Sequence, residues 1–156
     1  MSTRFMTKSI VVAAVDAYWE SMVAFCKANK KNGFHLVAWD PTKVGQAGLS
    51  HSNVFTSLSF QKDRWGASPY ETIAIGKSSL SQRTQMNSGD VPRELLLPGE
   101  CKYRGGVYTP TLGVSISGFK SVVDESFSLS IAKLAIDLAN DAFEEWNKEN
   151  DREPFV

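Results

Sequence analysis

Residues 103–126, "YRGGVYTPTLGVSISGFKSVVDES", give the strongest indication of the fold. It contains the pair Gly105-Gly106, followed by the β-forming runs "GVYTPT" and "LGVSISG". Pro110 confines the first run to a sheet edge or to the end of its strand. Ser117-Gly118 closes the second run, and Asp124 lies where the last helix is predicted to begin. The stretch therefore predicts two strands, a tight turn and a helix.

Outward from this stretch, hydrophobic periodicity predicts three helices and a hairpin. The predicted helices cover residues 8–31, a segment from the N-cap Ser68 to residues 87–89, and residues 122–147. Residues 34–40 and 53–60 carry strand patterns and are joined by a polar loop, so we expect them to pair antiparallel. This order of elements predicts an α+β fold with an antiparallel sheet.

Two further expectations concern apolar side chains outside the sheet. The last helix carries an apolar stripe, which predicts its buried face; its members are Phe127, Ile131, Leu134, Leu138, Ala142 and Trp146. Trp65 lies in the loop sequence "DRWGAS" and is expected to be exposed, as an interface residue would be.

Composition narrows the class of protein. The chain has 156 residues, 42% of them hydrophobic and 22% charged, which fits one globular domain over residues 1–156. The formal net charge is zero, so a nucleic-acid partner is not expected, and copies of the chain do not repel each other. No apolar run approaches the roughly 20 residues that span a bilayer. Two isolated cysteines suit a reducing compartment, so we expect a cytoplasmic protein with no membrane partner.

The segments "ETIAIGKSSLSQRT" (residues 71–84), "GGVYTP" (105–110) and "ISG" (116–118), with Asp124 after them, resemble the HbpS/GlcG/PduO-C-terminal family of heme-binding and heme-degrading-like domains. The family's helix carries an "IAIxKA"-type segment, and its strands carry "GGxPI" and "ISG". The chain departs from a related branch at Arg104 and Glu125, where that branch has histidines. The resemblance covers roughly residues 8–145, with its motifs in the second half.

The resemblance implies a profilin-like sandwich, in which a central antiparallel sheet is flanked by helices. It also implies a homo-oligomer, because members of the family assemble into rings or larger oligomers. Heme is the cofactor that the resemblance makes possible, since some members bind it.

Candidate functional residues fall into two groups. The residues expected to bind a small-molecule ligand are His35, His51, Lys77, Arg83, Gly105, Gly106, Ser117 and Gly118. Histidine is a heme ligand, the cations suit an anionic ligand, and the glycines and the Ser-Gly turn leave N–H groups for an anion. The residues expected to serve acid–base chemistry are Arg104, Asp124 and Tyr108. Each also has a structural alternative: a solvated charge, a tight turn or a helix cap.

Three functions stay open at this point. The leading hypothesis is an oligomeric small-ligand-binding domain, with heme or another flat anionic molecule as its ligand. The second is a small acid–base enzyme on the same fold, such as a lyase, isomerase or cyclase. The third is a non-catalytic scaffold protein. Two histidines are too few for a structural zinc site, and no phosphate loop, Rossmann fingerprint or nucleophile elbow is present, so no metal site is expected.

Overall fold

A computed structural model describes residues 5–43, 49 and 53–150. Three helices and four strands follow one another along the chain: α1 (Lys8–Ala28), β1 (Phe34–Trp39), β2 (Val54–Phe60), α2 (Tyr70–Thr84), β3 (Gly106–Tyr108), β4 (Gly113–Ser117) and α3 (Ser121–Asn150). Short 3-10 turns cover Lys62–Arg64, Ser88–Asp90 and Arg93–Leu95. The predicted α+β fold is confirmed.

The four strands form one antiparallel sheet in the order β2-β1-β4-β3. The predicted hairpin of β1 and β2 is confirmed, with Phe34 opposite Phe60 and Leu36 opposite Leu58. The register shifts between Ala38 and Trp39, which leaves Phe55 as an extra residue in β2. Every residue of β1 is buried because this strand lies between two others and between two helical layers.

Helices α1 and α3 cover one face of the sheet. Alternate strand residues such as Phe34, Leu36 and Ile116 point into this layer, as period-2 side-chain alternation requires. The Phe34 ring lies at the centre of this core, with its centroid 5.1 to 5.3 Å from those of Trp19, Phe119 and Phe60. The large apolar side chains of the protein are therefore concentrated between this face and its two helices.

Helix α2 covers the opposite face, which combines small and polar residues with the buried side chains of Val37 and Trp39. A Cβ on Gly106 would lie 2.8 Å from the Lys77 carbonyl oxygen, so only glycine lets the helix approach β3 this closely. The Trp39 ring occupies the space over Gly113, and its Nε1–H donates to Gln82 on α2 at 3.1 Å. The layers on the two faces, with the sheet between them, form the predicted profilin-like sandwich.

By length and composition alone, α1 is apolar enough to cross a membrane. A core helix needs the same composition, and its buried residues Val11, Ala14, Val15, Met22 and Cys26 line the apolar core. The N-terminus of this helix is capped by the Thr7 hydroxyl, which accepts from the Ile10 N–H at 3.3 Å.

Three local predictions were wrong. Helix α2 begins at Tyr70 with Pro69 in the cap position and no side-chain cap, so Ser68 does not serve as predicted. Trp65 is only 6% exposed, because its Nε1–H donates to the Phe60 carbonyl and its ring packs on His35 and Tyr70. The buried face of α3 shares only Ile131 with the predicted stripe and is made mostly of small or polar residues: Asp124, Ser128, Ile131, Ala132, Ala135 and Ala139.

Candidate functional site

A buried ion pair joins the two helical layers at the end of the sheet where β4 finishes. The Lys77 ammonium on α2 lies 3.0 Å from the Asp124 carboxylate on α3 and donates to the Ile116 carbonyl at 2.8 Å. Lys77 is 1% exposed and Asp124 is 2% exposed. The sequence predicts separate roles for these two residues, and the structure brings them together.

Gly105 makes room for this pair. Its φ is +127°, and a Cβ there would lie 2.7 Å from the Lys77 Nζ, 2.8 Å from the Ile116 carbonyl oxygen and 2.9 Å from the Asp124 Cβ. The Gly105 carbonyl accepts from the Ser128 hydroxyl at 2.8 Å and from the Ile116 N–H at 3.2 Å. A side chain at position 105 would therefore displace the lysine from its carboxylate.

The turn at Ser117-Gly118 holds a carboxylate of the protein itself, that of Asp124. Gly118 has a φ of +146° and packs against the Gly33 carbonyl and Phe34, where a Cβ would clash. The N–H of Phe119, the next residue, donates to the second oxygen of the Asp124 carboxylate at 3.0 Å. The sequence predicts that N–H groups at this turn hold a carboxylate. In the structure, the Phe119 N–H donates to the carboxylate of Asp124.

Burial raises the pKa of Asp124 from 3.8 to about 6. The charge and hydrogen bond of Lys77, and the Phe119 N–H, act in the opposite direction and favour the carboxylate. The loss of solvation is the larger effect, because almost no water reaches this side chain. Asp124 is thus a carboxyl group whose protonation changes near neutral pH.

Arg104 lies at the surface beside this buried pair. Its Nη2 donates to the Glu125 carboxylate at 2.7 Å, and its side chain is 48% exposed. The Arg104 side chain runs over Gly89, where a Cβ would lie 2.2 Å from its Cγ. Tyr103, the preceding residue, is 50% exposed. Two half-exposed side chains, those of Tyr103 and Arg104, therefore directly precede Gly105 in the chain.

Arg83 and Tyr108 have other partners. Arg83 donates to Glu100 at 2.6 Å and to the Leu95 carbonyl at 2.7 Å, which ties α2 to the segment before β3. The Tyr108 N–H, at the edge of the sheet, donates to the Asn87 side chain at 3.0 Å. Neither residue contacts the Lys77–Asp124 pair through any hydrogen bond of the described residues.

His35 is buried and lies at the end of the hairpin away from the connecting loop. It is 2% exposed, and its Nδ1 and Nε2 lie 2.7 and 2.8 Å from the hydroxyls of Ser59 and Ser57. Burial lowers the pKa of this imidazole, which favours the neutral ring. Ser117 is its register partner on β4. His51 lies outside the described residues.

Several residues of this region were not predicted. Ser128 holds the Gly105 carbonyl, and the Ser88 hydroxyl accepts from the Gly106 N–H at 2.9 Å. Ser81 and Ser115 carry buried hydroxyls that have no hydrogen-bond partner within the described part of the chain. A serine on a predicted helix or strand is usually interpreted as a solvent-facing residue, so no pattern in the sequence singles these serines out. Over residues 5–43, 49 and 53–150, no three His, Cys, Asp or Glu side chains lie together as a metal site would require.

Comparison with known proteins gives one finding on the fold. No family model matches the sequence, and no curated protein matches it. The chain is similar to a solved structure described as Klebsiella pneumoniae protein ORFY, of the family DUF336, which corresponds to the GlcG-like family. The TM-score is 0.50 and the identity 11%, over 90% of each chain. At this identity the likeness shows a shared fold.

Proposed function

We propose that this protein is a small-ligand-binding domain whose ligand is a flat anionic molecule bound beside Gly105. The observation that carries the proposal is the exposed pair of Tyr103 and Arg104 on a rigid base. That base is the buried Lys77–Asp124 pair, which fixes the backbone at Gly105. Groups held on a rigid support lose little entropy when a ligand binds.

The chemistry of the exposed groups supports an anionic, planar ligand. Glu125 engages Nε and Nη2 of Arg104, which leaves both hydrogens of Nη1 for a ligand carboxylate. The Tyr103 ring offers a face on which a planar molecule can stack.

Heme is one molecule of this class, with a flat ring and two carboxylates, and it is our first probe. His35 does not suit an axial role, because both its ring nitrogens contact serine hydroxyls and the residue is buried. His51, the other histidine of the sequence, falls between β1 and β2 and outside the described residues, so its substitution tests separately whether it ligates the iron. We propose that the protein binds its ligand as a homo-oligomer.

The test is a titration of the purified protein with hemin, read by visible absorption, and with iron-free protoporphyrin IX, read by fluorescence. We expect saturable binding of both molecules, and Arg104→Ala weakens it at least about tenfold, as loss of a charge-assisted contact should. Arg64→Ala is the matched control, because Arg64 is another exposed arginine on a different surface. Binding that is equally strong in Arg104→Ala would exclude this site, and no saturation with either molecule would exclude porphyrins.

His51→Ala separates metal ligation from binding of the ring. If His51 ligates the iron, the substitution abolishes the Soret shift with hemin and leaves protoporphyrin binding intact. If both spectra are unchanged, His51 has no part in the site.

An acid–base enzyme is the second candidate, and one observation favours it. A carboxyl group with a pKa of about 6 is suited to proton transfer near neutral pH, and Asp124 has this pKa. Arg104, which pairs with the neighbouring Glu125, would be its accompanying group. Tyr108, which the sequence also predicts for acid–base chemistry, makes no hydrogen bond to Asp124 among the described residues. The check is the titration of the Asp124 carboxyl carbon by NMR. A pKa below about 4.5 would remove the proton-transfer role, because the group would then be ionised throughout the neutral range.

A further inference from the structure

The two edge strands of the sheet, β3 and β2, differ in whether the chain itself satisfies their outward backbone groups. At the β3 edge, the Gly106 N–H donates to the Ser88 hydroxyl and the Tyr108 N–H donates to the Asn87 side chain, so the chain itself satisfies the outward donors. At the β2 edge, no described residue outside the sheet hydrogen-bonds to the backbone of residues 54–59. Unpaired backbone groups on an edge strand are a template for another strand.

The β2 edge also has few of the features that usually prevent such pairing. Its sequence, VFTSLSF, contains no charged residue and no proline over seven residues. Its one irregularity is the extra residue at Phe55, which leaves residues 56–60 as a regular segment. Leu58, the middle residue of that segment, is 37% exposed. Sheet edges that must stay free are normally protected by lysine, proline or bulges.

We propose that β2 pairs antiparallel with β2 of a second copy of this chain, around a two-fold axis at Leu58. Leu58 then lies opposite its own copy, Ser57 opposite Ser59, and Thr56 opposite Phe60. The two sheets become continuous across the pair. This inference specifies the interface of the proposed homo-oligomer and rests on that part of the proposed function.

Charge favours a second copy as the occupant of this edge. An antiparallel two-fold pairing sets each residue against a partner from the same strand, and this strand carries no charge that would meet its like. In the same register, the first charged residues beyond the strand, Lys62 and Asp63, fall opposite the uncharged Val54 and Asn53. The pairing also removes Leu58 from water against an identical side chain.

A pair of cysteine substitutions tests the register directly. Both are made with Cys101→Ser, which removes the half-buried native thiol and leaves only the buried Cys26. In Leu58→Cys, the two new thiols face each other across the axis, at a backbone separation of about 4.5 to 5.5 Å that a disulfide can bridge. In Ser57→Cys, each thiol faces Ser59 instead. We expect Leu58→Cys to form a disulfide-linked dimer under mild oxidation and Ser57→Cys to stay unlinked on a non-reducing gel.

A charge substitution gives an independent readout in solution. Leu58→Lys brings two ammonium groups together at the axis, so the dimer dissociation constant from analytical ultracentrifugation should rise at least about tenfold. Leu97→Lys is the control, since Leu97 is exposed on another surface. A monomeric native protein at micromolar concentration, or a disulfide in Ser57→Cys and not in Leu58→Cys, would overturn the proposal. So would a dimer that Leu58→Lys leaves intact.

These outcomes are separable from those of the ligand proposal. Failure of the porphyrin titrations says nothing about the state of association, which is measured without ligand. A dimer of the Leu58→Cys variant that forms without the disulfide excludes this edge and leaves both oligomer formation and ligand binding standing.

Discussion

The two faces of the sheet hold their helices by different physical means. The face under α1 and α3 is packed with large apolar side chains around Phe34, and its stabilisation is hydrophobic burial. The face under α2 carries small and polar residues around a smaller apolar cluster that contains Trp39. Helix α2 is held there by close backbone approach, by the Trp39 hydrogen bond to Gln82 and by the Lys77–Asp124 pair. The first kind of packing tolerates small changes in shape, whereas the second depends on single atoms and charges.

The largest expected effect is on the apolar face. Phe34→Ala removes a fully buried ring that contacts three other aromatic rings, so the free energy of unfolding should fall by about 4 kcal/mol. Urea denaturation measures this loss. Leu129→Ala on the exposed side of α3 is the control and should change stability by less than about 0.5 kcal/mol. A loss below about 1 kcal/mol for Phe34→Ala would contradict the assignment of the main core to this face.

The next effect is on the polar face. Lys77→Met removes the ammonium and leaves Asp124 buried without its counter-charge, so unfolding should need about 3 kcal/mol less at pH 8. At pH 5 the loss should be smaller, because Asp124 can then be protonated. Thermal denaturation at the two pH values measures both quantities.

The double variant Lys77→Met, Asp124→Asn separates the cost of an unpaired buried charge from the contribution of the pair. It removes both charges and keeps an oxygen that accepts from the Phe119 N–H. We expect it to recover more than half of the stability lost in Lys77→Met, since a buried pair is costly to break and less costly to replace. A double variant that is less stable than Lys77→Met would show that the pair contributes more than compensation of charge.

The third effect is a pH dependence due to Asp124. Its pKa is 3.8 in an ordinary setting and about 6 when folded, so the folded state binds more protons between these values. The stability contribution is complete below pH 3.8 and is lost as the pH rises through 6. Relative to Asp124→Asn, the wild-type protein should therefore lose up to about 3 kcal/mol between pH 4 and pH 7. A difference that grows with pH would mean that the pairing with Lys77 outweighs burial.

The smallest effect is expected at the two unpartnered hydroxyls. Ser81 and Ser115 are buried without a hydrogen-bond partner among the described residues. Replacing such a hydroxyl by hydrogen removes a desolvated polar group, so Ser81→Ala and Ser115→Ala should change stability by no more than about 1 kcal/mol, with stabilisation as the expected sign. A loss of about 2 kcal/mol or more would mean that a water molecule binds these hydroxyls.

The same contrast explains which predictions held. The hairpin followed from the apolar run of residues 34–40 and the alternation of residues 53–60, which are both local patterns. Lys77 and Asp124 were each recognised as candidates, but 47 residues separate them and no local pattern indicates that they meet. The buried face of α3 was not predicted because its fully buried positions are mostly alanine, serine and aspartate, whereas Phe127 and Leu134 are only partly buried against the core. Trp65 was misplaced because its hydrogen bond to Phe60 depends on tertiary packing.

The separation of Lys77 and Asp124 along the sequence has a consequence for folding during synthesis. Lys77 precedes its counter-charge by 47 residues, and that counter-charge lies in the first turn of the last helix. A nascent chain that ends before Asp124 would have to bury a lone ammonium in order to dock α2 on the sheet, which is strongly unfavourable. We therefore expect α2 to remain undocked on the ribosome until α3 emerges, so that the two helical layers assemble together.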